Sequence, residues 1–159
     1  MNEAYLLIGG NLGNRSKNLE KARMLIHERI GAVINISAVY ETAAWGITEQ
    51  PDFYNQALLV ATALQPEPLM QTILLIENEM GRIRKERYGP RIIDIDLLLF
   101  NDLIYNTALV TVPHPRISER RFVLEPLNEI APHKIHPVFN QTVSQLLEAC
   151  KDTSFVKKQ

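Results

Sequence analysis

Cysteine is almost missing from this chain. Its 159 residues include one, Cys150, which excludes an internal disulfide and any multi-cysteine metal site. Cys150 is expected to serve as a small apolar residue of a C-terminal helix. Excess charge is missing too. Seventeen Lys and Arg against 18 Asp and Glu leave a formal net charge of −1, so no overall field recruits nucleic acid or an anionic membrane, and a basic site must be local. No apolar run approaches the roughly 20 residues that span a bilayer. The opening run "AYLLIG" has neither a basic leader nor a cleavage-like site, so a reducing, cytoplasmic setting is expected. The glycine motifs of the common nucleotide folds are also absent. Counted from Gly9, "GGNLGNRS" places Asn14, Arg15 and Ser16 where a P-loop needs Gly, Lys and Ser or Thr, and Gly-x-Gly-x-x-Gly does not occur. This excludes a Walker or Rossmann site and leaves tight-turn geometry as the reading of these glycines.

What is present fits one soluble globular domain over residues 1–159: 46% of residues are apolar and 22% charged, with no repeat, low-complexity tract or linker. Ala4 to Gly10 reads as a buried strand. Leu19, Ala22, Ile26 and Ile30 recur at helical spacing, with Gly31 just past the helix end. Ala32 to Thr42 is β-branched and reads as a second strand. A ten-residue loop, Ala43 to Asp52, is longer than typical connections and reads as functional. Phe53 to Leu64 is a third strand. Pro66 and Pro68 open a helix with Leu69, Ile73, Ile76 and Met80 on one face, ended by Gly81. A basic loop from Arg82 to Arg91 leads into a fourth strand, "IIDIDLLLF". Beyond it, "NDLIYNTALVTVPHP" predicts a hairpin. "RISERRFVLEPLNEIAP" predicts helical pieces broken by Pro126 and Pro132, and Val143 to Cys150 a last helix. The order β-α-β-β-α-β is the split βαβ arrangement of a ferredoxin-like α+β fold: an antiparallel sheet with its helices on one face, here with a C-terminal helical extension.

The aspartate strand carries the clearest chemical signal. Side chains alternate along a strand, so Ile93, Ile95, Leu97 and Leu99 are expected to face the helices. Asp94, Asp96, Leu98 and Phe100 then share the other face. The C-terminal extension is expected to cover its apolar end and leave the aspartates at the mouth of a cleft. Two carboxylates this close need compensating charge. Mg²⁺ held with substrate phosphates would supply it, and so would an ion-pair network with neighbouring arginines. The preceding loop carries Arg82, Arg84, Lys85, Arg87 and Arg91, with Glu86 its only acid. Arginine forks match phosphate oxygens, and their adjacency to Asp94 and Asp96 favours phosphoryl transfer, where positioning and charge stabilisation do most of the catalysis. His114, held between two prolines, with Arg116 and Arg120 sharing a helix face at i and i+4, fits a phosphate-contacting set and a surface helix start equally well. Trp45, Phe53, Asn55, Tyr88 and Phe122 could sandwich a flat heterocycle and read its edge, although each taken singly is more often core.

Read together, these motifs resemble the 6-hydroxymethyl-7,8-dihydropterin pyrophosphokinase family of folate synthesis. Arg87, Gly89-Pro90-Arg91 and Asp94-Ile95-Asp96-Leu97-Leu98 fit its signature. "IGGNLGNR", "QPDFYNQA", "GRIR" and "VPHPRISERRFVLEPL" resemble family segments in the same order, from Tyr5 to about Cys150. The resemblance implies a ferredoxin-like α+β fold with mobile loops, and transfer of the β,γ-pyrophosphoryl unit of ATP to the pterin's hydroxymethyl oxygen with release of AMP. It implies two Mg²⁺ ions on Asp94 and Asp96, with Asp96 assisting removal of the hydroxyl proton, and Arg82 and Arg91 holding the phosphates. Glu77, Arg87, His114 and Arg120 would contact ATP. Thr42, Asn55 and backbone near Trp45 would bond the pterin, with Phe53 and Phe122 stacking on its faces and Arg84 and Tyr88 on the closing loop. The implied partners are these small molecules alone, without nucleic acid or membrane, and the implied state is a monomer. The chain departs from the family pattern at Ala43 and Ala44, where proline is usual, and at Trp45, Leu74 and Tyr88. An RNA-binding module of the same fold would carry aromatic residues where this strand has Asp94 and Asp96. A non-catalytic nucleotide-binding regulator would have no need of the pair.

Overall fold

The computed structural model describes residues 1–44, 50–82 and 89–159. Its centre is β1 (Asn2–Gly10), in which every residue from Ala4 onward is buried. A strand can be apolar on both faces only where both are covered, and here they are. β1 pairs antiparallel with β4 (Phe53–Thr62) on one side and with β5 (Asp94–Phe100) on the other. β2 (Gly31–Ile36) and β3 (Tyr40–Thr42) lie in succession along the far side of β4, and β8 (Val156–Lys158) pairs with β3.

The crossover helices α1 (Arg15–Arg29) and α2 (Pro66–Glu79) cover one face. Asn14 caps α1 by accepting from the Lys17 N–H at 3.1 Å, which satisfies a donor that the first turn cannot pair. Leu19, Ala22, Ile26, Leu69, Ile73 and Ile76 pack there against Ala4, Leu6, Ile8, Ile95 and Leu97. On the opposite face α3 (Arg121–Ile130) and α4 (Val143–Ala149) bury Val123, Leu124, Leu127, Val143 and Leu146 against Tyr5, Leu7, Ala57, Leu98 and Leu99. The split βαβ order is therefore present, and the C-terminal extension covers the sheet's second face. A short hairpin of β6 (Tyr105–Asn106) and β7 (Thr111–Val112) precedes it, as its sequence predicts. No helix among the described residues is long and apolar enough to cross a membrane.

Several expectations need correction. The predicted strand Ala32 to Thr42 is two strands, β2 and β3. Gly31 does follow the C-cap Ile30 directly, but it has no positive φ; a Cβ there would stand 2.0 Å from the Ala61 carbonyl oxygen, so its lack of a side chain serves strand contact. Gly9 and Gly10 lie within β1, as the strand reading of Ala4 to Gly10 has them, so the tight-turn reading of the glycine cluster does not hold for these two. Pro126 does not break α3, which runs through it with Val123, Leu124 and Leu127 fully packed. One lost backbone bond is outweighed by that apolar face. Arg116 and Arg120 flank a short 3₁₀ turn (Ile117–Glu119) instead of sharing a helix face. Leu99 and Phe100 exchange faces: β5 carries an extra residue at Leu98, because Leu6 pairs with Leu97 while Tyr5 pairs with Leu99. Such a bulge reverses alternation beyond it, so Leu99 joins the α3–α4 core and Phe100 the α1–α2 core.

Candidate active site

The bulge lies beyond the aspartates, so their face is the one alternation assigns. Gly9 pairs with Asn55 on one side and Asp94 on the other. Directly paired residues of antiparallel strands project on the same face. Asn55, Gly9 and Asp94 therefore form one row across three strands, and Tyr40 extends it on β3. The next row, Ala57–Leu7–Asp96, runs straight into the α3–α4 core. Helix packing covers the sheet up to this row and leaves the aspartate row at its rim.

Gly9 makes the row possible. A Cβ on it would stand 2.2 Å from Asn55 Oδ1. Asn55 is buried, and its Nδ2 donates to Thr42 Oγ1 at 2.8 Å, which fixes the orientation of both polar groups. Phe53 lies two residues before Asn55 on the same face, with the Arg91 guanidinium 5.4 Å from its ring centre.

The charges are distributed unevenly. Asp94 accepts from Arg82 Nη1 at 2.5 Å and from Arg91 Nη1 at 3.1 Å. Arg82 Nη1 also donates to Glu77 Oε2 at 2.9 Å, and that oxygen accepts the Ile95 backbone N–H at 2.7 Å. Glu77 is 2% exposed, which leaves little surface for the nucleotide contact expected of it. The structure has it holding Arg82 and the start of β5. Burial works against the charge of Arg82, but Asp94 and Glu77 outweigh it and raise its pKa. Asp96, by contrast, takes no hydrogen bond from the described residues. Burial first, then Asp94 and Glu77, raise its carboxyl well above the usual range, against the weaker pull of Arg120 and Arg82. Among the described residues the pair is thus unevenly satisfied: Asp94 is bonded by two arginines, and Asp96 feels Arg120 and Arg82 without a hydrogen bond from either.

His114 is placed by the bulge. Its backbone N–H donates to the Leu98 carbonyl at 2.8 Å. Its Nδ1 accepts the Arg116 N–H at 3.1 Å, so Nε2 carries the proton of the neutral ring. Burial, then Arg120, lower its pKa to about 4. Arg120 lies where the 3₁₀ turn meets α3, with its guanidinium 5.6 Å from the Phe122 ring centre.

The structure thus brings together Asp94, Asp96, Arg82, Arg91, Glu77, His114 and Arg120, with Phe53, Asn55 and Thr42 along the same face. Trp45, Arg84, Arg87 and Tyr88 lie outside the described residues. Two residues escaped the sequence reading. Asn11 is buried; its Oδ1 accepts the Arg91 N–H at 2.9 Å, and its Nδ2 donates to Gln50 Oε1 and the Pro51 carbonyl, both at 2.9 Å. One side chain thereby joins the end of the basic loop to the end of the loop after β3. Arg15 stacks 3.9 Å over Tyr54 and bonds Glu41 Oε2 at 3.0 Å and the Asp52 carbonyl at 2.9 Å. Their signal lies in "GGNLGNRS", which a turn reading absorbs, and in the family-like segment "IGGNLGNR", to which that reading gives no role.

Comparison with known proteins bears directly on this geometry. The model of the family described as 7,8-dihydro-6-hydroxymethylpterin-pyrophosphokinase matches residues 5–132. The chain is 39% identical over 145 residues to the 2-amino-4-hydroxy-6-hydroxymethyldihydropteridine pyrophosphokinase of Aquifex aeolicus, covering 91% of this chain and 90% of that protein. It is 43% identical over 130 residues to the Bacillus subtilis protein of the same name, covering 81% and 78%. Among solved structures, Plasmodium falciparum HPPK-DHPS superposes with a TM-score of 0.76 at 21% identity, over 94% of this chain and 43% of that one. That likeness shows the fold, and this chain spans less than half the length of that protein.

Proposed function

The chain belongs to the 7,8-dihydro-6-hydroxymethylpterin-pyrophosphokinase family, and from that premise we propose how its residues divide the work. The reaction is ATP-dependent transfer of a pyrophosphoryl group to hydroxymethyl-dihydropterin, a step of folate biosynthesis. The observation that carries the site assignment is the row Asn55–Gly9–Asp94, with Asp94 bonded by two arginines and Asp96 bonded by none of the described residues.

The donor set fits a divalent cation. Two hard carboxylates share a strand face, and burial of Asp96 beside Asp94 and Glu77, which outweighs the pull of Arg120 and Arg82, favours a positive charge placed beside it. Asp94 and Asp96 would hold the two Mg²⁺ ions that accompany ATP. Bound there, Mg²⁺ would polarise phosphoryl oxygens and lower the pKa of the pterin's hydroxyl. Asp96 faces the substrates from the same side as Asp94 and would assist in taking the proton that the hydroxyl loses. Arg82 is held by Glu77 and Asp94 and Arg91 is seated beside Phe53, so their guanidinium groups meet the phosphates pre-oriented as charge moves onto departing AMP. His114, neutral at pH 7, offers Nε2–H to the nucleotide beside Arg120; Arg87 completes that set from the basic loop. Thr42 and Asn55, with backbone near Trp45, read the pterin edge, while Phe53 and Phe122 enclose its faces. The 159 residues act as one domain, monomeric and cytoplasmic, on small molecules alone.

Asp96→Asn separates chemistry from folding. Turnover should fall about a hundredfold or more, followed as AMP formed from ATP and hydroxymethyl-dihydropterin. The melting temperature of the metal-free variant should hold or rise, because a neutral amide replaces a carboxyl whose charged form burial, Asp94 and Glu77 disfavour. Near-normal turnover would end the role assigned to Asp96. ADP in place of AMP in the wild-type assay would end the pyrophosphoryl assignment.

A further inference from the structure

β3 is three residues long, and β4 is its only partner on the inner side. A strand so short at a sheet edge holds its place poorly. Yet it carries Thr42, whose hydroxyl meets Asn55, and recognition needs such groups fixed to within about 0.5 Å. The outer side of β3 is paired by the last residues of the chain. Tyr40 pairs with Lys158, Glu41 with Lys157 and Thr42 with Val156. The Ala43 N–H donates to the Phe155 carbonyl at 3.3 Å, and the Gln159 N–H to the Val39 carbonyl at 2.8 Å.

The same segment is fastened elsewhere. Asp152 Oδ2 accepts the Arg121 N–H at 3.0 Å, and the Asp152 carbonyl accepts Arg121 Nε at 2.9 Å. Asp152 Oδ1 accepts the Ser154 N–H at 2.9 Å, which starts the turn toward β8. Arg121 opens α3 and stands between Arg120 and Phe122. Glu129, further along α3, accepts from the Tyr40 hydroxyl at 2.6 Å and lies 3.6 Å from Lys158 Nζ.

We propose that Asp152 to Gln159 is a positioning strap for the pterin subsite, tying the strand that carries Thr42 to the helix start that carries Phe122. The strap lies outside residues 5–132, the span of the family match. It also adds little to the core: Phe155 is half exposed, and Lys157 and Lys158 are exposed. Its hydrogen bonds act on the two walls it joins. The inference rests on the reading that Thr42, Asn55 and Phe122 bind the pterin.

Two variants test it in the full reaction: a chain ending at Lys151, and Asp152→Ala in the full-length chain. Each should raise the pterin KM about fivefold, the effect of losing one net hydrogen bond's worth of positioning, with kcat and ATP Kd within about twofold and the melting temperature little changed. Asp152→Asn keeps an acceptor for the Arg121 N–H and should recover most of the loss. Asn55→Ala, run alongside, tests the subsite itself and should weaken pterin binding. If Asn55→Ala weakens the pterin but both strap variants leave its KM unchanged, the strap fails and the subsite stands. Equal losses for pterin and ATP that follow a fall in melting temperature would reduce the strap to general stabilisation and overturn the proposal. Pterin binding untouched by Asn55→Ala would overturn the subsite reading, and the strap with it.

Discussion

His114 shows how much of this site is set by what surrounds a side chain. Burial and then Arg120 hold its pKa down to about 4 from 6.5. An unfolded chain takes up that proton near the ordinary value, while the folded one waits until about 4. Between the two the unfolded state binds more protons, so this residue makes the fold lose stability as pH drops through that window. Asp96 acts in the opposite sense. Its raised pKa means that the folded state binds the proton more tightly, so its contribution is full at low pH and is lost as pH rises through the raised value. The wild-type curve mixes both, and the difference between wild type and His114→Gln isolates the imidazole. Denaturant midpoints of the metal-free proteins at about pH 7 and about pH 4.5 should show the variant losing less stability on acidification. Parallel losses would mean that the ring is not held neutral.

β5 and β1 carry the site through two element-level devices, one legible in sequence and one not. Two-residue alternation put Asp94 and Asp96 on one face, and the arginine-rich approach marked that face as chemical. The same alternation failed for Leu99 and Phe100, because "LLLF" is apolar throughout and holds no polar residue to mark the extra one. The bulge at Leu98 is settled by pairing with β1, and the bulged residue's carbonyl then positions His114. The glycines of β1 misled for a related reason. Close approach of neighbouring backbone leaves no mark that distinguishes it from a turn. Gly10 has the Ile92 carbonyl oxygen 2.2 Å from where a Cβ would stand, whereas at Gly13 a Cβ would meet only Asn18 Nδ2 at an ordinary 3.6 Å but the backbone has a φ of +69°. Gly10→Ala should therefore destabilise by about 2 kcal/mol through overpacking against backbone, and Gly13→Ala by about 1 kcal/mol through its dihedral. Urea unfolding with unchanged m-values would measure both. A smaller effect at Gly10 than at Gly13 would restore the turn reading.

Across the whole molecule, two cores share one sheet and differ in what they support. The α1–α2 core was legible from periodicity, since Leu19, Ala22, Ile26, Leu69, Ile73 and Ile76 recur at helical spacing and all are buried. The closing strand β8 was not. "FVKKQ" has no apolar alternation, and its conformation comes from the edge of β3 rather than from a face of its own. The α3–α4 core lies under the Asp96 row, and α3 begins between Arg120 and Phe122. Damage to that core should therefore reach catalysis, while equal damage across the sheet should not. Leu127 in α3 and Ile26 in α1 are both fully buried, and replacing either with Ala should remove about 3 kcal/mol. Assayed well below both melting transitions, Ile26→Ala should keep kcat and both KM values near wild type. Leu127→Ala should lower kcat/KM about tenfold, since a shift on the order of 1 Å in the groups facing the substrates is enough for that. Matched losses of stability with matched kinetics would show that the sheet spreads strain evenly, and that the division between a supporting core and a catalytic one is not real.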